Sequence, residues 1–179
     1  MTTYVALLRG VNVGGNKMVS MAGLRAALED MGFSDVRTVL QSGNVVFRST
    51  ARAGTALEHS LENQLEARLK CAADFHIRTA AEWKDVVARN PFKDEARRDP
   101  GHLLVTFFKA PLDKTKVKTL EGAIPGRERL HADGRQMYIV FPDGVGTSKL
   151  PPIMDRTLGV RGTSRNWNTV LKLSTLAGS

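Results

Sequence analysis

One cysteine, Cys71, stands alone in 179 residues. A disulfide framework within the chain is therefore excluded, and a reducing cytoplasm is the expected setting. No apolar run approaches the ~18 residues of a membrane span. The N-terminus lacks a basic stretch followed by an apolar core and a small-residue cleavage site, so no secretory signal is expected. The four histidines, His59, His76, His102 and His131, are scattered, and no pair has helical ligand spacing beside a carboxylate. Neither a metal nor any other cofactor is expected. What is present is ordinary for a globular chain: 42% hydrophobic and 25% charged residues, which excludes collagen-like and disordered classes. Lysine and arginine exceed aspartate and glutamate by 26 to 18, a net charge of +8 that points to anionic partners or to solubility alone.

The first eighty residues alternate between strand and helix patterns. Thr3 to Arg9 is a β-friendly run ended by Gly10-Val11-Asn12-Val13-Gly14-Gly15. Ser20 is placed to cap a helix through Met21, Leu24, Leu28 and Met31, and Gly32 is its stop. Val36 to Leu40 and Val45 to Phe47 flank Gln41-Ser42-Gly43-Asn44, a hairpin signal. Thr55 and Glu58 have capping-box spacing ahead of Leu57, Leu61, Leu65 and Leu69. Asp74 to Arg78 closes a β-α-β-β-α-β order, the split βαβ arrangement of ferredoxin-like domains.

A second unit of related topology is expected. Thr79 to Glu82 opens a short helix that must end before Asn90-Pro91, and Arg89 to Gly101 reads as linker. Leu103 to Lys109 is a strand and Asp113 to Glu121 a helix. Arg129 to Ala132 and Gln136 to Phe141 form a hairpin around Asp133-Gly134. Helical segments over Ser148 to Leu158 and Arg165 to Leu176 complete the chain, with the last strand of this half replaced or missing. The fold class is thus α+β, two related ferredoxin-like βαββα(β) subdomains with a C-terminal helix. The divisions fall at 1–80, a connecting helix and linker at 81–101, and 102–179.

Connectivity locates a candidate site. In a β-α-β-β-α-β unit the loop after strand one and the hairpin between strands two and three lie at the same end of the sheet. That gathers Arg9, Asn12, Gly14, Gly15 and Lys17 with Gln41, Ser42 and Asn44. Glycine admits close backbone approach, the short polar side chains offer hydrogen bonds, and the first helix begins at the same end. Asn12 and Asn44 are expected to contact ligand rather than only complete turns, and Arg9 to reach the hairpin or residues 163–169. The glycine run is not a P-loop, because Gly15 is followed by Asn16-Lys17-Met18. Nor does the spacing of Gly10 and Gly14 fit a dinucleotide fingerprint.

A second donor-rich cluster lies near the C-terminus. Thr163-Ser164 reads as a cap before a helix start carrying Arg165, Asn166 and Asn168, with Trp167 as a core anchor. Lys149, Arg156, Arg161, Arg165 and Lys172 stand against Asp155 alone from Ser148 onward, so this segment is a further candidate for anion binding.

The stretches from Tyr4 to Gly15 and Thr38 to Phe47 together resemble a bacterial family, domain of unknown function sixteen ninety-seven. Asn90-Pro91-Phe92, Ser148-Lys149-Leu150 and Thr163 to Thr169 are also similar to its pattern. The resemblance spans nearly the whole chain. It implies two related ferredoxin-like halves and implies no activity.

The leading expectation is a cytoplasmic binding module for an anionic ligand, nucleic acid or a phosphorylated small molecule, at the glycine-loop end of the first sheet. A metal-free enzyme acting on a small phosphorylated or carboxylated metabolite is the alternative, although Ser42 has no histidine near it in sequence and a hairpin tip is not a nucleophile elbow. A third reading is an assembly protein that uses a sheet edge. The aromatic pattern of RNA-recognition domains is not met: Tyr4 and Phe47 are too few, and Phe107, Phe108, Tyr138 and Phe141 read as core. No membrane partner is expected.

Overall fold

The computed structural model describes residues 1–11, 19–40 and 43–178. In chain order the first part contains β1 (Thr2–Arg9), α1 (Met21–Asp30), β2 (Ser34–Val39), β3 (Asn44–Ser49), α2 (Thr55–Leu69), β4 (Asp74–Thr79) and α3 (Ala80–Ala88). After α4 (Lys93–Arg98) and a 3-10 turn at Pro100–His102 come β5 (Leu103–Phe107), α5 (Lys114–Gly122), β6 (Arg129–Asp133) and β7 (Gln136–Val140). The chain ends with α6 (Leu150–Leu158), β8 (Thr163–Asn166) and α7 (Trp167–Ala177). Two compact units result, Met1–Asp85 with Leu173–Ser179, and Val86–Lys172.

Each unit holds a four-stranded antiparallel sheet, ordered β2-β3-β1-β4 and β6-β7-β5-β8. Both are the ferredoxin-like arrangement. The second half is therefore complete: Thr163–Asn166, expected as the start of a helix, is its fourth strand, paired to β5. The cap of α7 is Asn166, whose Oδ1 accepts from the Thr169 amide at 3.0 Å. Two β-branched or polar residues ahead of a tryptophan fit a strand as well as a cap, and pairing with β5 decides between them.

In the first unit Tyr4, Ala6 and Leu8 of β1 pack with Val45, Phe47, Phe75 and Ile77 against Leu24 and Leu28 of α1 and Leu57, Leu61 and Leu65 of α2. Strand periodicity sends Val5, Leu7 and Val46 to the opposite face, where they are also buried. That is why β1 reads as a continuous apolar run rather than an alternating one. In the second unit Leu104, Phe108, Met137 and Ile139 pack with Leu120, Leu150, Met154 and Leu158.

Local signals hold in several places. Ser20 Oγ accepts from the Gly23 amide at 2.9 Å, so it caps α1. Thr79 and Glu82 form a reciprocal capping box at α3, with Glu82 Oε2 accepting from the Thr79 amide and Thr79 Oγ1 from the Glu82 amide. Two further segments differ locally from their sequence reading. The stretch read as linker contains α4, which its mixed charges concealed. Glu58 does not cap α2; it is buried, and its Oε1 accepts from the Ile77 amide of β4 at 3.0 Å.

Candidate functional site

The end of β1 meets the β2–β3 hairpin at Gly43. The Leu8 amide, at the end of β1, donates to the Gly43 carbonyl of the β2–β3 hairpin at 2.8 Å. Gly43 has φ +75°, and a Cβ there would lie 2.8 Å from Leu8 Cβ, so only glycine lets the hairpin tip close on the strand end. Of the residues expected at this end, Asn12, Gly14, Gly15, Lys17, Gln41 and Ser42 lie outside the described residues. Asn44 is wholly buried, and its Nδ2 donates to the Val39 carbonyl at 2.9 Å. Its side chain braces the hairpin, which corrects the expectation that it faces a ligand.

Arg9 also departs from expectation. Its Nη1 meets Asp74 Oδ2 at 3.3 Å, and Asp74 is its register partner on β4. A cavity of about 390 Å³ beside this pair is lined by Arg9, Glu62, Glu66 and Asp74, with Asn63 and Gly10. Three carboxylates against one guanidinium make the β4 side of this sheet end acidic.

The C-terminal cluster is reorganised by β8. Arg165 is only 9% exposed, and its Nη1 donates to Thr163 Oγ1 at 2.7 Å and to the Ser164 carbonyl at 2.9 Å. Burial lowers the pKa of its guanidinium to about 10. It is a strand residue whose Nη1 is engaged within β8, not a residue of a helix start. Asn166 is engaged as the α7 cap, Asn168 is exposed on α7, and Trp167 is buried as expected. Arg161 faces Asp155 at 3.6 Å.

Lys149 lies just ahead of α6, exposed beside a cavity of about 250 Å³. Arg127 and Asp143 form an ion pair on its wall, and Ser148 Oγ bonds Glu128 while accepting from the Leu150 amide at 3.0 Å. The charges beside Lys149 alternate in sign, which weakens the anion-binding expectation for this segment.

Among the described residues the sheets offer no open aromatic platform: Tyr4, Phe47, Phe107, Phe108, Tyr138 and Phe141 are all at most 2% exposed. The β4 edge is engaged as well. Glu62 Oε1 accepts from the Phe75 amide at 2.9 Å, so with Glu58 two carboxylates one helical turn apart cover alternate amides of this strand. The β2 edge carries a register shift between Ser34 and Arg37, and an Asp35–Arg37 ion pair at 3.0 Å. Both features weaken a sheet-edge assembly reading. Among the described residues no group of three His, Cys, Asp or Glu side chains is placed to hold a metal ion. No helix of the described residues is long and apolar enough to cross a membrane.

The same junction recurs in the second sheet. The Phe108 amide donates to the Arg135 carbonyl at 2.8 Å, and the Leu112 amide to the Gly134 carbonyl at 3.0 Å. Its signal in the sequence is the run from Lys109 to Lys118, which has four lysines against Asp113. The glycine pattern of the first half overshadows it.

Among solved structures, the chain is similar to the conserved bacterial protein SP0830 from Streptococcus pneumoniae, with a TM-score of 0.77 and 23% identity over 98% of each chain. That likeness supports the fold across both units. A putative chlorite dismutase, TA0507, aligns at 13% identity over 99% of each chain with a TM-score of 0.28, too low to bear on fold or function. No curated protein matches. The family model described as "Protein of unknown function (DUF1697)" matches residues 1–138. With more than half of the chain matched, the protein belongs to the DUF1697 family.

Proposed function

We propose that this protein is a binding module for a small phosphorylated molecule, taken at the end of the first sheet where the β1–α1 loop meets the β2–β3 hairpin. The observation that carries this reading is the 2.8 Å bond from the Leu8 amide to the Gly43 carbonyl. It joins the end of β1, which in sequence leads into Asn12 to Lys17, to Gly43, which in sequence follows Gln41 and Ser42. Helix α1 starts from the same loop, so the positive end of its dipole favours an anion there.

Charge distribution supports a small ligand over nucleic acid. The acidic group Glu62, Glu66 and Asp74 beside Arg9 repels an extended polyanion on the β4 side. Much of the positive charge is already neutralised: Arg25, Arg37, Arg68, Arg97 and Arg127 each face a carboxylate. With the sheet aromatics buried, stacking of bases has no support either.

The test is thermal unfolding against a panel of phosphorylated metabolites, with single-stranded RNA at equal phosphate concentration as the competitor class. One metabolite should stabilise the protein by about 2.7 kcal/mol when present at ~100 times its Kd, and Lys17→Gln should abolish the shift. Stabilisation by RNA alone, with a steep loss in salt, would favour the nucleic-acid reading instead.

A further inference from the structure

The end of the second sheet holds a cavity of about 440 Å³ between α5 and the tip of the β6–β7 hairpin. This lies within the range of roughly 300–1,000 Å³ typical of small-molecule pockets. Its wall is apolar where Leu112, Val117 and Ala132 line it, and these three side chains pack onto the core of this unit. Asp113 Oδ1 accepts from the Thr115 and Lys116 amides at 2.8 and 3.1 Å, which fixes the start of α5. From that start, helical spacing puts Lys114, Val117, Lys118 and Glu121 on one stripe, and all four line the cavity.

Lys116, on another face of α5, donates to the Leu158 carbonyl at 3.2 Å. Lys114 and Lys118 are exposed and make no hydrogen bond or ion pair with the described residues. Lysine stems can lie along apolar surface while their ammonium groups remain in water. Glu121, the next position along the stripe, opposes a second negative group at the far end.

We propose that this cavity is a binding site for a small amphiphilic monoanion, an aliphatic chain bearing one carboxylate. The chain lies against Leu112, Val117 and Ala132, and the carboxylate accepts charge-assisted hydrogen bonds from Lys114 and Lys118. The site is separate from the one proposed at the first sheet, so either can fail without the other.

Decanoate is the probe and decanol its neutral match, each titrated by calorimetry into the full chain. Decanoate should bind one-to-one and at least about tenfold more tightly than decanol. Lys114→Gln combined with Lys118→Gln should bring decanoate to the level of decanol, and both positions are exposed, so folding is not at risk. Ala132→Leu, checked for an unchanged melt, should weaken both probes by filling the cavity. The absence of saturable decanoate binding would overturn the proposal. So would equal affinity for decanol, or decanoate binding that ignores the lysine or the Ala132 substitutions.

Discussion

Arg78 and Arg165 occupy the same position in the two halves. Arg78 sits opposite Val5 on the fourth strand of the first sheet, and Arg165 opposite Val105 on the fourth strand of the second. Each is buried, and each Nη1 donates to the carbonyl of the preceding residue, Ile77 or Ser164, at 2.9 Å. The correspondence continues into the helices that follow, where Thr79 caps α3 and Asn166 caps α7. The repeat is therefore one of residues as well as topology, a β-α-β-β-α-β-α unit used twice.

Burial of Arg165 makes stability depend on pH in a definite direction. Its folded pKa, about 10, lies well below the ordinary guanidinium value. Below pH 10 the cost of the buried charge is fully present, and as pH rises through 10 the unfolded chain holds the proton longer, so this group favours folding more. Wild type should gain stability relative to Arg165→Met between about pH 9 and 11, as read by urea unfolding of both proteins. Arg165→Lys should be destabilising at neutral pH by about 1.5–3 kcal/mol, because the lysine nitrogen stops one bond short of the Nη1 position that donates to both Thr163 and Ser164. A Lys variant as stable as wild type would show that the bonds to Thr163 and Ser164 contribute nothing.

Glu58 supplies the acceptor for a buried strand amide. Glu58→Ala should cost about 1–3 kcal/mol, the penalty for an unsatisfied buried donor, while Glu58→Gln retains a carbonyl and should cost less. Hydrogen exchange at the Ile77 amide reads this locally, with faster exchange in the alanine variant and near-native protection in the glutamine variant.

Gly162, just ahead of β8, is a tighter constraint than any turn. A Cβ there would lie 2.5 Å from the Phe107 carbonyl oxygen and 2.7 Å from Thr106 Cγ2. Main chain cannot yield cheaply in a paired strand, so Gly162→Ala should destabilise by about 1–3 kcal/mol. Gly146→Ala is the control, since nothing lies within 4 Å of its added methyl and its φ is not positive. Equal midpoints in chemical denaturation would contradict the close approach.

The sequence carried the fold through period and punctuation. Ser20, Gly32 and the hairpin at Gly43 mark the first unit because caps and turns depend on neighbours only a few residues away. Thr163–Asn166 was not legible as a strand because its identity comes from pairing with Leu104 to Phe107, some sixty residues earlier. Glu58 misled for a related reason, its spacing from Thr55 matching a cap while its carboxylate reaches β4. For the site, connectivity alone brought the β1 end to the hairpin, since topology fixes which loops share a sheet end. The roles of Arg9, Asn44 and Arg165 depended on partners distant in sequence or on burial, and neither is written in local pattern.

Amide chemical shifts recorded during a titration with the phosphorylated metabolite that most stabilises the protein test the proposed site most directly. The account predicts saturable shifts concentrated in residues 8–20 and 40–44, with none in the Glu62, Glu66 and Asp74 group beyond the Arg9 neighbourhood. Shifts confined to the second unit, or none at saturating concentration, would contradict it.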